Sequence, residues 1–234
     1  MATLRERLAA RRAERERQRR RRDEFLARMR RNRKAYRTLR TRAKRSARLV
    51  RRLRRRIMGA QVPGVVDGGW HPHATRIQVQ GGIGAFLNVP AKLVWHTTEG
   101  FGLPAYSGSH PHFTLDPASG KLWQHIPVTS GAMTLKNASG GVETNRAHAI
   151  QVELIGFAGE TPDWPASDYR EVAELARWIE KHTAVKRRCS VRFEARHHSL
   201  SGQEWLDYSG HIGHQHVPEN DHWDPGQFRI GEVI

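Results

Sequence analysis

The stretch Lys92-Leu-Val-Trp-His-Thr-Thr98 decides how this chain is read. Three apolar residues lead into a histidine and two hydroxyls, the pattern of a buried strand that ends on polar groups. A ring at the end of such a strand projects from a rigid edge, although His96 alone reads equally well as a hydrogen-bonded core histidine. A second run, Ala149 to Phe157, also reads as a strand, and it carries the acidic Glu153 among Ile, Val and Leu. A carboxylate is costly to bury there without a purpose.

Working outward, His112 to Leu115 and Leu122 to Ile126 flank the turn-rich Asp116-Pro-Ala-Ser-Gly120, which predicts a hairpin. A helix is expected from Asp168 to His182, with Asp168 and Glu171 as a capping-box pair and Val172, Leu175, Ala176 and Ile179 on one face. Cys189 to Ala195 reads as a further short strand, Gly202 to Tyr208 as a short helix, and the tail from Gly210 onward as a loop rich in His, Gly, Pro and Asp. Strands and helices in this mixed order predict an α/β fold, a single domain with a central mixed sheet flanked by helices.

Charge divides the chain. Its formal net charge is +17, but residues 1–58 hold 26 Lys and Arg against 5 Asp and Glu, leaving 14 against 18 for the remainder. The first segment, almost free of Gly and Pro and rich in Arg, Ala, Leu and Glu, reads as a long basic helical arm with too sparse an apolar stripe for a coiled coil. Residues 59–67, with Pro63 and two glycines, read as a linker, and 68–234 as the folded domain. Attraction of the arm to a polyanion follows from its charge; an anionic wall polymer, a membrane surface and nucleic acid are the candidate partners. Cys189 is the only cysteine, so no internal disulfide supports the fold. No apolar h-region opens the chain and no stretch approaches the roughly 18 apolar residues of a spanning helix.

All 14 histidines lie between His71 and His222, outside the arm. Zinc catalysis needs three His or carboxylate ligands and one open position. His96 and the segment Gly213-His-Gln-His-Val-Pro-Glu-Asn-Asp-His-Trp-Asp-Pro-Gly226 supply candidates.

Three separated motifs resemble the type 2 N-acetylmuramoyl-L-alanine amidases, the family of phage endolysins and animal peptidoglycan recognition proteins. They are Trp95-His96-Thr97-Thr98, Ala149-Ile-Gln-Val-Glu-Leu-Ile-Gly156, and Gly213-His214 followed ten residues later by Asp224-Pro-Gly226. The resemblance covers about Gly68 to Phe228. It implies that His96, His214 and Asp224 bind Zn2+, that Glu153 orients or deprotonates the attacking water, and that the substrate is the amide between N-acetylmuramic acid and L-alanine in peptidoglycan. It also implies an enzyme of phage-endolysin type, made in the host cytoplasm without a signal peptide and acting on the bacterial wall after release by a holin. The alternatives are a non-catalytic peptidoglycan-binding module and a nucleic-acid-binding protein acting through the arm.

Two positions depart from the family pattern. His222 stands where many relatives carry the lysine that stabilises the oxyanion; an imidazole can donate the same hydrogen bond with less charge at neutral pH. Pro111 stands where some relatives carry a tyrosine, which puts more weight on Glu153. His211 and His216 are expected to be loop or supporting residues. Asn145 reads either as a substrate contact or as a turn residue. Trp123, Trp164, Trp205 and Trp223 read as packing, with Trp223 also beside the site.

Overall fold

The computed structural model describes residues 68–234 except 78, 80 and 81. The arm and linker read from residues 1–67 lie outside the described residues. Six strands, β1 (Thr75–Arg76), β2 (Lys92–Thr97), β3 (Phe113–Asp116), β4 (Lys121–Gln124), β5 (Ala149–Leu154) and β6 (Gly210–Gly213), form one sheet in the order β1-β4-β3-β5-β2-β6. β3, β5, β2 and β6 run parallel; β4 is antiparallel to β3, and β1 is parallel to β4. This is the expected mixed-sheet α/β architecture, and the hairpin across Asp116–Gly120 is β3–β4.

Alternation along the strands divides two packing faces. Leu93 and Trp95 of β2, Phe113 and Leu115 of β3, and Ile150, Val152 and Leu154 of β5 pack with Tyr169, Val172, Leu175, Ala176 and Ile179 of helix α1 (Ala166–His182). The opposite face sets Val94, Ala149 and Ile212 with Trp205 of helix α2 (Gly202–Asp207), Tyr208, Val217 and Leu135. Because β2 is covered on both sides, even Lys92 is buried; its ammonium donates to Ala147 O at 2.7 Å and Pro90 O at 3.0 Å and lies over the Trp205 ring. Desolvation pushes its pKa down to about 8.

Four local expectations are corrected. α1 starts at Ala166, with Pro165 as its N-cap and no side-chain cap, so Asp168 lies inside the first turn, where a carboxylate complements the helix dipole, and makes no capping box. The capping box occurs at α2, where the Ser201 hydroxyl accepts from Glu204 N and the Glu204 carboxylate accepts from Ser201 N.

Residues 189–195 are irregular: Ser190 N donates to the Tyr208 hydroxyl and Glu194 N to the Gln215 side chain, so no ladder forms. Gly210–Gly213, expected as loop, is instead strand β6, paired in parallel with β2. Its glycines are what allow it. Gly210 has φ +108, and a Cβ there would lie 2.3 Å from Arg188 O; one at Gly213 would lie 2.7 Å from the Phe193 ring. No described helix is long and apolar enough to cross a membrane.

Candidate active site

The register of the parallel strands builds the site. Thr114 of β3 pairs with Glu153 of β5, Glu153 pairs with His96 of β2, and Trp95 pairs with Gly213, which puts His214 just past the end of β6. Residues in register on neighbouring parallel strands point to the same face, so these four form one row at the C-terminal ends of the strands. The polar row occupies the face opposite α1, where the second core gives way to the loops.

His96 and His214 face each other with their Nδ1 atoms 3.1 Å apart. Asp224, carried in by the loop after β6, places Oδ1 3.1 Å from His214 Nδ1 and Oδ2 3.7 Å from His96 Nδ1. All three residues are buried, and their ligand-type atoms lie within 4.8 Å of one another. Donors bound to one metal at about 2.0–2.2 Å in a tetrahedron stand about 3.4 Å apart, so these spacings match three of its corners. The electrostatics suit the same use. Burial, reinforced by His214, lowers the His96 pKa to about 3, so its ring is neutral and offers a lone pair. Burial alone would raise the Asp224 carboxyl, but hydrogen bonds from His214 and His222 and the nearby imidazoles hold it far below the usual carboxylate range. The cluster can therefore hold a metal ion.

The loop carrying Asp224 is clamped by amides. Gln215 N donates to Asp224 O at 2.9 Å, and Gln215 Nε2 donates to Trp223 O and Gly226 O. Asn220 donates to His214 O and to Val217 O, and accepts from His222 N. Thr97 N donates to Asp224 Oδ2 at 3.3 Å, tying the loop to β2.

Glu153 lies 3.8 Å from His96 Nδ1. Burial, with the negative charges of Asp224 and Glu99, raises its pKa to about 8. Its Oε2 is buried without a hydrogen-bond partner among the described residues, a costly arrangement that marks a site rather than a core. His222 stacks on the His214 ring at 4.4 Å, and its Nδ1 is 3.5 Å from Asp224 Oδ1. That carboxylate raises the His222 pKa, and the side chain is 61% exposed.

A family model for N-acetylmuramoyl-L-alanine amidases matches residues 87–227. The chain belongs to this amidase family. The matched span takes in every member of the row and the whole Asp224 loop. Among solved structures, a crystal structure of a selenomethionine derivative of AmpD is similar, with a TM-score of 0.48, 17% identity, and coverage of 73% of this chain and 97% of that one. Comparison with curated proteins gives no match.

Three other histidines are held in hydrogen bonds away from the cluster. His216 bonds Gly213 and Arg192 O, and His211 accepts from Trp95 Nε1 at 3.2 Å and lies 2.9 Å from Glu180, so neither joins the cluster. His112 accepts from Gln151 N and bonds Ser130 O. Asn145 is buried, exchanges hydrogen bonds with Leu135 and accepts from Gln151, which settles it as a packing residue. Trp164 and Trp205 are core, and Trp223 is 39% exposed beside the site.

Sequence reasoning missed Tyr106. Its hydroxyl is 2.8 Å from Thr114 Oγ1, which is also 2.9 Å from His125 Nε2. Burial, the Glu153 charge next, raises the Tyr106 pKa beyond its ordinary value. A phenol thus stands at the Glu153 end of the row although Pro111 precedes His112. Its segment, Pro104-Ala-Tyr-Ser-Gly108, has no periodicity that could have singled it out.

Proposed function

We propose that the chain is a zinc-dependent N-acetylmuramoyl-L-alanine amidase that hydrolyses the amide between N-acetylmuramic acid and L-alanine in peptidoglycan. The observation that carries this reading is the convergence of His96 Nδ1, His214 Nδ1 and an Asp224 carboxylate oxygen beside Glu153, whose Oε2 is buried. Two imidazoles and one carboxylate are a donor set suited to catalytic zinc, with one coordination position left for chemistry. Zinc bound there supplies a Lewis acid for the scissile carbonyl, and its charge opposes the upward shift of the neighbouring Glu153.

Glu153 then takes a proton from the attacking water and returns it to the leaving amine of L-alanine. His222, whose pKa Asp224 raises, in its protonated form donates Nδ1–H to Asp224 and keeps Nε2–H to donate to the carbonyl oxygen as charge develops on it. Tyr106 and Thr114, hydrogen-bonded to each other, stand on the β3 side of Glu153. The folded domain responsible is residues 68–234.

The basic arm favours a lytic role of phage-endolysin type over recycling of soluble fragments, because a net charge of +21 over residues 1–58 serves an anionic wall or membrane surface and gives a small soluble substrate nothing. The full ligand set disfavours a non-catalytic binding module. The test is metal content by mass spectrometry paired with hydrolysis of a synthetic muramoyl peptide. Wild type is expected to hold one zinc per chain and release a free L-alanine amino terminus, and Asp224→Ala to lose both. Full activity of a zinc-free Asp224→Ala protein would overturn the assignment.

A further inference from the structure

Beyond Glu153 the polar row continues across the sheet to a histidine with no role so far. Thr114 of β3 pairs with Glu153 on one side and with Trp123 of β4 on the other. His125 lies two residues after Trp123, so its ring shares the face of Thr114, and its backbone N donates to His112 O at 2.9 Å. Thr114 Oγ1 stands between two partners, the Tyr106 hydroxyl at 2.8 Å and His125 Nε2 at 2.9 Å. The Tyr106 and His125 rings meet edge to face at 5.1 Å. His125 is 2% exposed, and its Nδ1 is buried without a hydrogen-bond partner among the described residues.

The unpartnered Nδ1 fixes which way the hydrogen bonds run. Burial, and then His110, lowers the His125 pKa to about 4, so at neutral pH the ring carries one N–H and one lone pair. With the proton on Nδ1, a buried donor would be stranded, Nε2 would accept from Thr114, and Thr114 would take the phenol hydrogen of Tyr106. With the proton on Nε2, His125 donates to Thr114 and the Thr114 hydroxyl donates to the Tyr106 oxygen. Only a lone pair is then left over at Nδ1, and every donor has a place. The Tyr106 hydrogen is left for an acceptor on the side of Glu153, whose charge already bears on this phenol.

We infer that His125 is a positioning residue: donating from Nε2, it turns the Thr114 hydroxyl onto Tyr106 and so frees the phenol hydrogen for the Glu153 end of the row. The catalytic consequence rests on the amidase function proposed above; the direction of the hydrogen bonds does not.

Two measurements on the zinc-loaded full chain test this. Long-range 15N–1H NMR reads the His125 tautomer, assigned by the signals that His125→Gln removes. Protonated Nε2 with bare Nδ1 is expected at neutral pH, and protonated Nδ1 would overturn the inference. Kinetics on a synthetic muramoyl peptide read the consequence. His125→Phe should lower kcat about tenfold, as far as Tyr106→Phe does, with KM and zinc content unchanged. Added to Tyr106→Phe it should cost nothing further, because both act through one chain of hydrogen bonds. His125→Gln, whose amide N–H can replace the donor, should recover most of the rate. An equal loss in the Tyr106→Phe background, which a purely structural role would give, would overturn the inference, as would His125→Gln no faster than His125→Phe. If His125→Phe does not fold, the wild-type tautomer and the His125→Gln rate decide. If wild type shows the Nε2 tautomer yet hydrolyses no muramoyl peptide, the hydrogen-bond direction stands and the proposed activity fails.

Discussion

Replacing Glu153 by Gln separates its cost to the fold from its use in the reaction. The side chain is only 13% exposed, and its pKa is raised from 4.5 to about 8, first by desolvation and then by Asp224 and Glu99. In metal-free protein the folded state therefore holds a proton that the unfolded chain has released. A folded pKa above the unfolded value gives stability that is intact below about pH 4.5 and lost as pH rises towards about 8. The full shift corresponds to on the order of 3–5 kcal/mol, reduced by whatever water reaches the site. Gln cannot ionise, so chelated Glu153→Gln should lose this slope and be more stable than wild type at pH 8 by on the order of 2 kcal/mol or more. With zinc restored, the same variant should keep its metal and lose about 10²–10⁴ in kcat. Urea unfolding of the chelated proteins at pH 5 and pH 8, with single-turnover hydrolysis of the reloaded ones, reads both effects. Identical pH slopes would refute the burial argument, and undiminished turnover would remove Glu153 from the reaction.

Tyr106→Phe deletes the hydroxyl on Thr114 and should lower kcat about tenfold while leaving zinc content unchanged; kinetics and metal analysis check this. His222→Ala should cost about 10²-fold in kcat, and His222→Lys should recover most of it, as oxyanion stabilisation requires; equal rates in all three proteins would exclude the role. His112 and His211 are buried with pKa values lowered to about 4, so their neutral forms stabilise the fold above about pH 6.5 and that stability is lost as pH falls towards 4. Thermal melts of the full chain should show Tm falling through this window, and His211→Gln should shrink the fall.

Much of this was legible in the sequence, and what was not has identifiable causes. The strand ending at His96, the acidic strand with Glu153 and the hairpin at Asp116–Gly120 carry strong apolar patterns, and the structure places all three as read. The Gly210–Gly213 strand was hidden because a single aliphatic residue, Ile212, sits between glycines, and only the closeness of Arg188, Phe193 and Pro225 explains that composition. The start of α1 was misplaced because Asp168 and Glu171 have capping-box spacing, while Pro165 in fact sets the helix entrance. The row Thr114–Glu153–His96–His214 is a property of register across β3, β5, β2 and β6, which no linear spacing encodes. Tyr106 and the amide clamps Gln215 and Asn220 act through loop geometry and likewise leave no periodic trace.

The central claim, zinc-dependent cleavage of the muramoyl–alanine amide, is tested most directly by digesting purified peptidoglycan with the full chain and identifying the products by mass spectrometry, with chelator and with zinc added back. The expected result is new L-alanine amino termini that vanish with the chelator and return with zinc. New reducing sugar ends, or amide cleavage indifferent to the chelator, would contradict it.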